Sequence, residues 1–190
     1  YIAFPTGMST FIPLTYRQGS SAEVVERLNN DSIAKEIGIY AESRIKRLGG
    51  PQNVVVTSCK RPENRIYVGK SVEECCKISG SEPWPFIRKL LAEENANVDI
   101  IGFAMREENV RLFLSHRLGM PASDGSVYSP TGPLSENMPH PRSYGTFPRF
   151  FGKYVREEKI MDLATAVMKA TYLPASRLKL SKRGLLVPGY

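Results

Sequence analysis

Long apolar runs and paired metal ligands are what this sequence of 190 residues is short of. No stretch approaches the roughly 18 consecutive apolar residues that a membrane-crossing helix needs, and no basic-then-apolar leader opens the chain. Neither a membrane nor a secretion route is expected, and the expected location is cytoplasmic. Histidine occurs twice, as His116 and His140, with no paired spacing, so a complete metal site from this chain's own ligands is not expected. The three cysteines, Cys59, Cys75 and Cys76, are odd in number and two are adjacent. That is a poor disulfide framework, and reduced thiols are expected. A P-loop, a G-x-S-x-G elbow, a C-x-x-C pair and an H-E-x-x-H helix are all missing, which removes the chemistries those motifs support.

Aromatic residues are also missing from the one dense basic stretch, "SRLKLSKRG", so bases would have nothing to stack on. The net charge of +7 is otherwise scattered and reads as solvated surface, with no nucleic-acid partner expected. A non-catalytic binding domain using that charge stays open as an alternative. What is present is ordinary for a globular chain: 42% hydrophobic and 24% charged residues, enough to bury a core. The first residue is Tyr1 rather than methionine, and the expectation is a piece of a longer protein.

Helix signals dominate the first half. Ser20-x-x-Glu23 and Ser71-x-x-Glu74 are capping boxes, and Asp31 is read as the cap of a longer helix with Ile33, Ile37, Tyr40, Ile45 and Leu48 near one face. "PWPFIRKLLAEEN" predicts a helix with proline in its first turn and Trp84, Ile87, Leu90 and Leu91 at core spacing. "NVVVTS" (53–58) and "RIYVG" (65–69) read as a strand pair. The pattern then changes. "VDIIGFAM" (98–105) reads as a strand buried on both faces of a parallel sheet. "REENVRLFLSHR" reads as a helix with Val110, Leu112, Phe113 and Leu114 inward, and "LGMPASD" as a second buried strand. Strand, helix, strand is the βαβ signature of an α/β fold, where chemistry collects at the carboxyl ends of strands.

Asp124 falls at such an end, ahead of "GSVYSPTGPLSENMPHPRSYG", a long stretch without helical or strand period. His140 is held between Pro139 and Pro141 and leads directly into Arg142, whose guanidinium suits a carboxylate. An aspartate before glycine is equally a turn former, and His116 reads as a helix-end residue.

Together these residues resemble a known family. Ser123-Asp124-Gly125, His140-Pro-Arg142-Ser-Tyr144-Gly-Thr-Phe-Pro-Arg149, Tyr154-Val-Arg-Glu157, Thr171-Tyr-Leu-Pro-Ala-Ser-Arg-Leu178 and Arg183-Gly-Leu-Leu-Val-Pro-Gly189 match the C-terminal part of D-aminoacylases, the N-acyl-D-amino-acid deacylases of the amidohydrolase superfamily. The resemblance implies the C-terminal portion of a metal-dependent-hydrolase TIM-like barrel carrying an inserted small α/β subdomain. It divides the chain into a late-strand tail and loop (1–14), the insert (15–97), the last barrel segment with its active-site loop and return helix (98–180), and the start of a β-sandwich return (181–190). It implies a zinc-dependent hydrolase of N-acyl-D-amino acids. Asp124 would be the proton-carrying catalytic residue, Arg142 the grip on the substrate carboxylate, and His140 and Tyr144 further substrate contacts. Zinc is expected in the parent enzyme, held by ligands of a missing N-terminal barrel, and this piece is expected to be inactive alone. A dihydroorotase- or hydantoinase-like enzyme of cyclic amides is the alternative within the superfamily.

Overall fold

The computed structural model describes residues 1–135 and 139–190, so positions 136–138 of the long stretch behind Asp124 lie outside the described residues. The chain forms two compact units, one of Ala3–Ala104 with Ser129–Pro139, the other of Tyr1–Ile2, Met105–Tyr128 and His140–Tyr190. The fold is mixed α/β.

In the first of these units, β1 (Phe4–Gly7) and the one-turn α1 (Leu14–Arg17) precede α2 (Ser21–Asn29), where the expected capping box forms. Ser20 Oγ accepts the Glu23 N–H at 3.3 Å, and the Glu23 carboxylate accepts the Ser20 N–H at 2.7 Å. In α3 (Asp31–Arg47) the cap is Asn30 rather than Asp31. Its Oδ1 takes the N–H groups of Ser32 and Ile33, while Asp31 sits in the first turn where its charge suits the helix dipole. After β2 (Val54–Ser58) come α4 (Val72–Ser79), opened by the Ser71–Glu74 capping box, and α5 (Pro83–Glu93). Ile37, Ala41 and Ile45 of α3 and Trp84, Ile87, Leu90 and Leu91 of α5 are buried in one core, as their 3.6-residue spacing predicts.

The strands depart from expectation. β3 (Asp99–Gly102) lies between β1 and β2 and pairs antiparallel with both, so the run 98–105 does not enter a parallel sheet. Residues 65–69 do not form a strand partner for β2 either; Pro62–Tyr67 is a 3-10 turn. The buried Glu94 carboxylate explains that shape. It accepts the backbone N–H groups of Lys60 (2.7 Å) and Arg61 (3.2 Å) and the Asn64 amide (2.8 Å), which fixes the segment as a loop. Gly69 and Lys70 still reach Val56 by two backbone bonds, so β2 is flanked rather than extended there.

The other unit is helical: α6 (Glu107–Ser115), α7 (Arg142–Arg149), a π-helix (Phe150–Glu157), α8 (Leu163–Ala170) and α9 (Tyr172–Arg177). Phe150, Tyr154, Val155 and Ala166 form its core, with Val110 and Leu114 against them. Leu112 and Phe113, expected inward, are 63% and 69% exposed. Residues four apart share a helix face, so burying 110 and 114 turns 112 to the opposite side, while 113 falls at the edge of the buried face and is left exposed. "LGMPASD" is not a strand, and the expected βαβ unit does not form. Pro121 has no N–H to give, and no neighbouring strand among the described residues offers the segment a ladder. No described helix is long and apolar enough to cross a membrane.

Candidate active site

Of the residues singled out by sequence, Asp124 and His140 both contact Arg142 within the helical unit, and Tyr144 lies on the same helix as Arg142. Asp124 adopts φ +45°, in the left-handed region that aspartate tolerates better than most side chains. Its carboxylate lies open to solvent, with Oδ2 2.9 Å from a terminal guanidinium nitrogen of Arg142, whose side chain is only 26% exposed. The glycine after Asp124 is required by space. A Cβ at Gly125 would stand 2.9 Å from the Ser143 Cα, so the backbone behind the acid is seated directly against the first turn of α7. Asp124 and Arg142, far apart in sequence, are thus fixed side by side.

Arg142 opens α7, where a positive charge opposes the helix dipole. The helix start is held by other means. His140 is 5% exposed, and its Nδ1 accepts the Arg142 backbone N–H at 3.0 Å, while its carbonyl accepts the Ser143 N–H at 3.0 Å. The Tyr1 ring meets the imidazole edge-on, with centroids 5.3 Å apart, and the Arg149 guanidinium lies over the Tyr1 ring at 5.1 Å. Arg149 in turn reaches Glu107 at 3.2 Å, and Glu107 also takes the Lys153 ammonium at 2.7 Å and a short hydrogen bond from the Tyr154 hydroxyl. Burial alone would raise the Glu107 carboxyl, but the hydrogen bonds from Lys153 and Tyr154 and the charge of Arg149 outweigh it and hold it at about 2. Tyr154 is pushed up, by burial first and then by its bond to Glu107. Glu158 closes the network, taking Arg111 at 2.7 Å and Lys153 at 3.6 Å.

Ahead of Asp124 in the chain, the buried Lys169 ammonium donates to the carbonyls of Leu114 (2.8 Å), His116 and Gly119 (3.0 Å), and burial lowers its pKa. It ties down the end of α6 and the start of the segment leading to Asp124. His116 is the C-terminal cap residue of α6, as its sequence context implied. Tyr144 is half exposed on α7. Sequence reasoning named Asp124 and His140, which both contact Arg142 here, Arg142 itself, and Tyr144 on the same helix, but missed Tyr1, Glu107 and Lys169 as supports. Arg149 and Tyr154 stood inside the quoted motifs, whereas Glu107 carried no signal beyond its place in a first helical turn.

Chemically the arrangement offers one solvent-open carboxylate, able to carry a proton, beside one guanidinium, able to bind a carboxylate. It does not fit a metal. Among the described residues no three histidine, cysteine, aspartate or glutamate side chains gather, and each histidine Nδ1 is already taken by a backbone N–H. Cys59, Cys75 and Cys76 are free thiols in the other unit, and burial pushes Cys59 and Cys75 up to about 12, far from the thiolate a metal needs.

No protein-family profile matches the sequence. The chain is 42% identical over 89 residues to an N-acyl-D-glutamate deacylase of Alcaligenes xylosoxydans xylosoxydans, covering 47% of the chain and 17% of that protein. It is 34% identical over 137 residues to a D-aminoacylase of the same organism, covering 72% of the chain and 25% of that protein. Among solved structures it is similar to the N-acyl-D-glutamate deacylase of Bordetella bronchiseptica, complexed with zinc and a phosphonate mimic of the tetrahedral intermediate. The TM-score is 0.61 at 30% identity, over 76% of this chain and 27% of that one. The chain therefore spans about a quarter or less of the length of the curated relatives it matches.

Proposed function

Since this chain belongs to the D-aminoacylase family of deacylases, we propose that it supplies the acid and the carboxylate grip of an enzyme that hydrolyses N-acyl-D-amino acids to a carboxylic acid and a D-amino acid. The observation that carries the reading is the 2.9 Å pair of Asp124 and Arg142. In this reading the chain is the late part of a TIM-like barrel with an inserted subdomain. The zinc named for its structural neighbour would be held by residues outside this chain, since the described residues gather no set of metal donors.

The two side chains divide the work. The substrate's carboxylate takes the Arg142 guanidinium, which is partly buried and so positioned before the ligand arrives. Asp124 Oδ2 is then released to accept a proton from the attacking water and deliver it to the departing amine nitrogen. Exchange of partners is cheap, because an ion pair with one solvent-open member is worth only about 0–1 kcal/mol. Tyr144, half exposed on the same helix, faces solvent where the acyl or side-chain portion of the substrate can meet it.

In the full-length enzyme, Asp124→Asn keeps the left-handed backbone and the zinc but lowers kcat by about 10²–10⁴-fold, the usual worth of a proton-transfer group. Arg142→Ala lowers kcat/KM on the order of 10- to 100-fold, mainly through KM, as expected for a charged hydrogen-bonding partner. An Arg142→Ala enzyme with unchanged kcat/KM would rule the grip out, and an active Asp124→Asn enzyme would rule out the proton carrier.

A further inference from the structure

We propose that His140 is a positioning residue for Arg142 rather than a substrate contact, acting through the hydrogen bond that its Nδ1 accepts from the Arg142 backbone N–H. The inference rests on the reading of Arg142 as the carboxylate grip and extends it one layer inward. The first N–H groups of a helix have no partner within the helix, and at α7 they face a positively charged side chain, which weakens the start further. Pro141, the residue before the helix, has no side-chain acceptor to offer. His140 supplies both acceptors instead, the ring nitrogen for Arg142 at 3.0 Å and the carbonyl for Ser143 at 3.0 Å.

The Nδ1 of His140 is already taken up as the acceptor of the Arg142 N–H, which leaves that nitrogen no room for a substrate carboxylate. Burial to 5% exposure makes direct contact with a ligand in solution poor as well. The ring is itself held: Tyr1 stands against it edge-on, Arg149 covers Tyr1, and Glu107 fixes Arg149. The flanking prolines restrict the backbone on both sides. The series Glu107, Arg149, Tyr1, His140, Arg142 is a contiguous support that ends on the Arg142 backbone and leaves its guanidinium to pair outward with Asp124.

The test is a double-mutant cycle in the full-length, zinc-loaded enzyme with N-acetyl-D-glutamate as substrate. His140→Leu keeps bulk but removes the acceptor and is expected to raise KM about tenfold with kcat changed less than about threefold. His140→Asn can place its Oδ1 on the same N–H, as asparagine does at helix starts, and is expected to restore KM to within about threefold of the parent enzyme. In an Arg142→Ala background, His140→Leu is expected to cost nothing further, because residues that act through one another do not add. Full additivity with Arg142→Ala, or failure of His140→Asn to rescue, would overturn the inference while leaving the grip intact. An unchanged KM in Arg142→Ala alone would instead strike the underlying reading. If His140→Leu does not fold, the His140→Asn enzyme decides alone: a parent-like KM, and no additional loss when it is combined with Arg142→Ala, supports the inference, and any other result overturns it.

Discussion

Glu107 shows how one side chain can hold a site it never touches. Its carboxyl sits at about 2 rather than its ordinary 4.5. A folded-state value below the unfolded one means the unfolded chain binds the extra proton first. The contribution to stability is therefore complete above about pH 4.5 and lost as pH falls toward about 2. Glu107→Gln is expected to lower stability at neutral pH by about 1–2 kcal/mol, discounted because the side chain is still 19% exposed. The same variant should flatten the acid limb of the stability curve, which urea unfolding at stepped pH measures. A parent-like slope between pH 4.5 and 2 would show that the carboxylate does not carry this load. Little of this was legible in the sequence. Asp124 and Arg142 could be named from their motifs, yet the ring that packs on His140 is Tyr1, at the far end of the chain. Such a partner leaves no local pattern.

At the scale of elements, local rules succeeded where the forces were local. Both capping boxes and the stripes of α3 and α5 were readable because cap and core face are set within a few residues. The strands were not. β3 pairs with segments more than forty residues away on both sides, and an apolar run says nothing of its partners' direction. The π-helix was missed too, although Pro148 gave a signal. Its ring displaces the carbonyl four residues back and removes a donor, and the chain widens into the π turn immediately afterwards at Phe150. Phe150, Tyr154 and Val155 can then face one core. The end of α6 offers a measurable contrast in cap strength. Lys169→Met would leave three carbonyls at Leu114, His116 and Gly119 without their donor, at a cost of about 1–3 kcal/mol. Ser20→Ala at an exposed cap should cost only about 0.5–1 kcal/mol. Urea midpoints of the two variants should keep that order, and the reverse order would mean the Lys169 carbonyls are satisfied by water.

For the molecule as a whole, the sequence conveyed the mixed α/β class and the kinship with deacylases more firmly than it conveyed any strand. Motif residues stay together when topology is misread, because they mark a site rather than a register. The kinship also sets an expectation for the chain on its own. With a carboxylate and a guanidinium but no gathered metal donors among the described residues, the purified chain is expected to give no measurable hydrolysis of N-acyl-D-amino acids with zinc supplied. Steady zinc-dependent turnover by this chain would contradict that division of labour.

The close seating of Gly125 against Ser143 has a bearing on how such a protein can vary. Two anchors, that backbone contact and the ion pair beside it, set the spacing of acid and cation from within the helical unit. His140 helps to seat Arg142, so the separation of the two charges is set by these local contacts and not by the number of residues ahead of His140. Changes of chain length ahead of His140 can therefore leave the spacing of acid and cation unaltered, so the chemistry is insulated from variation in that part of the sequence.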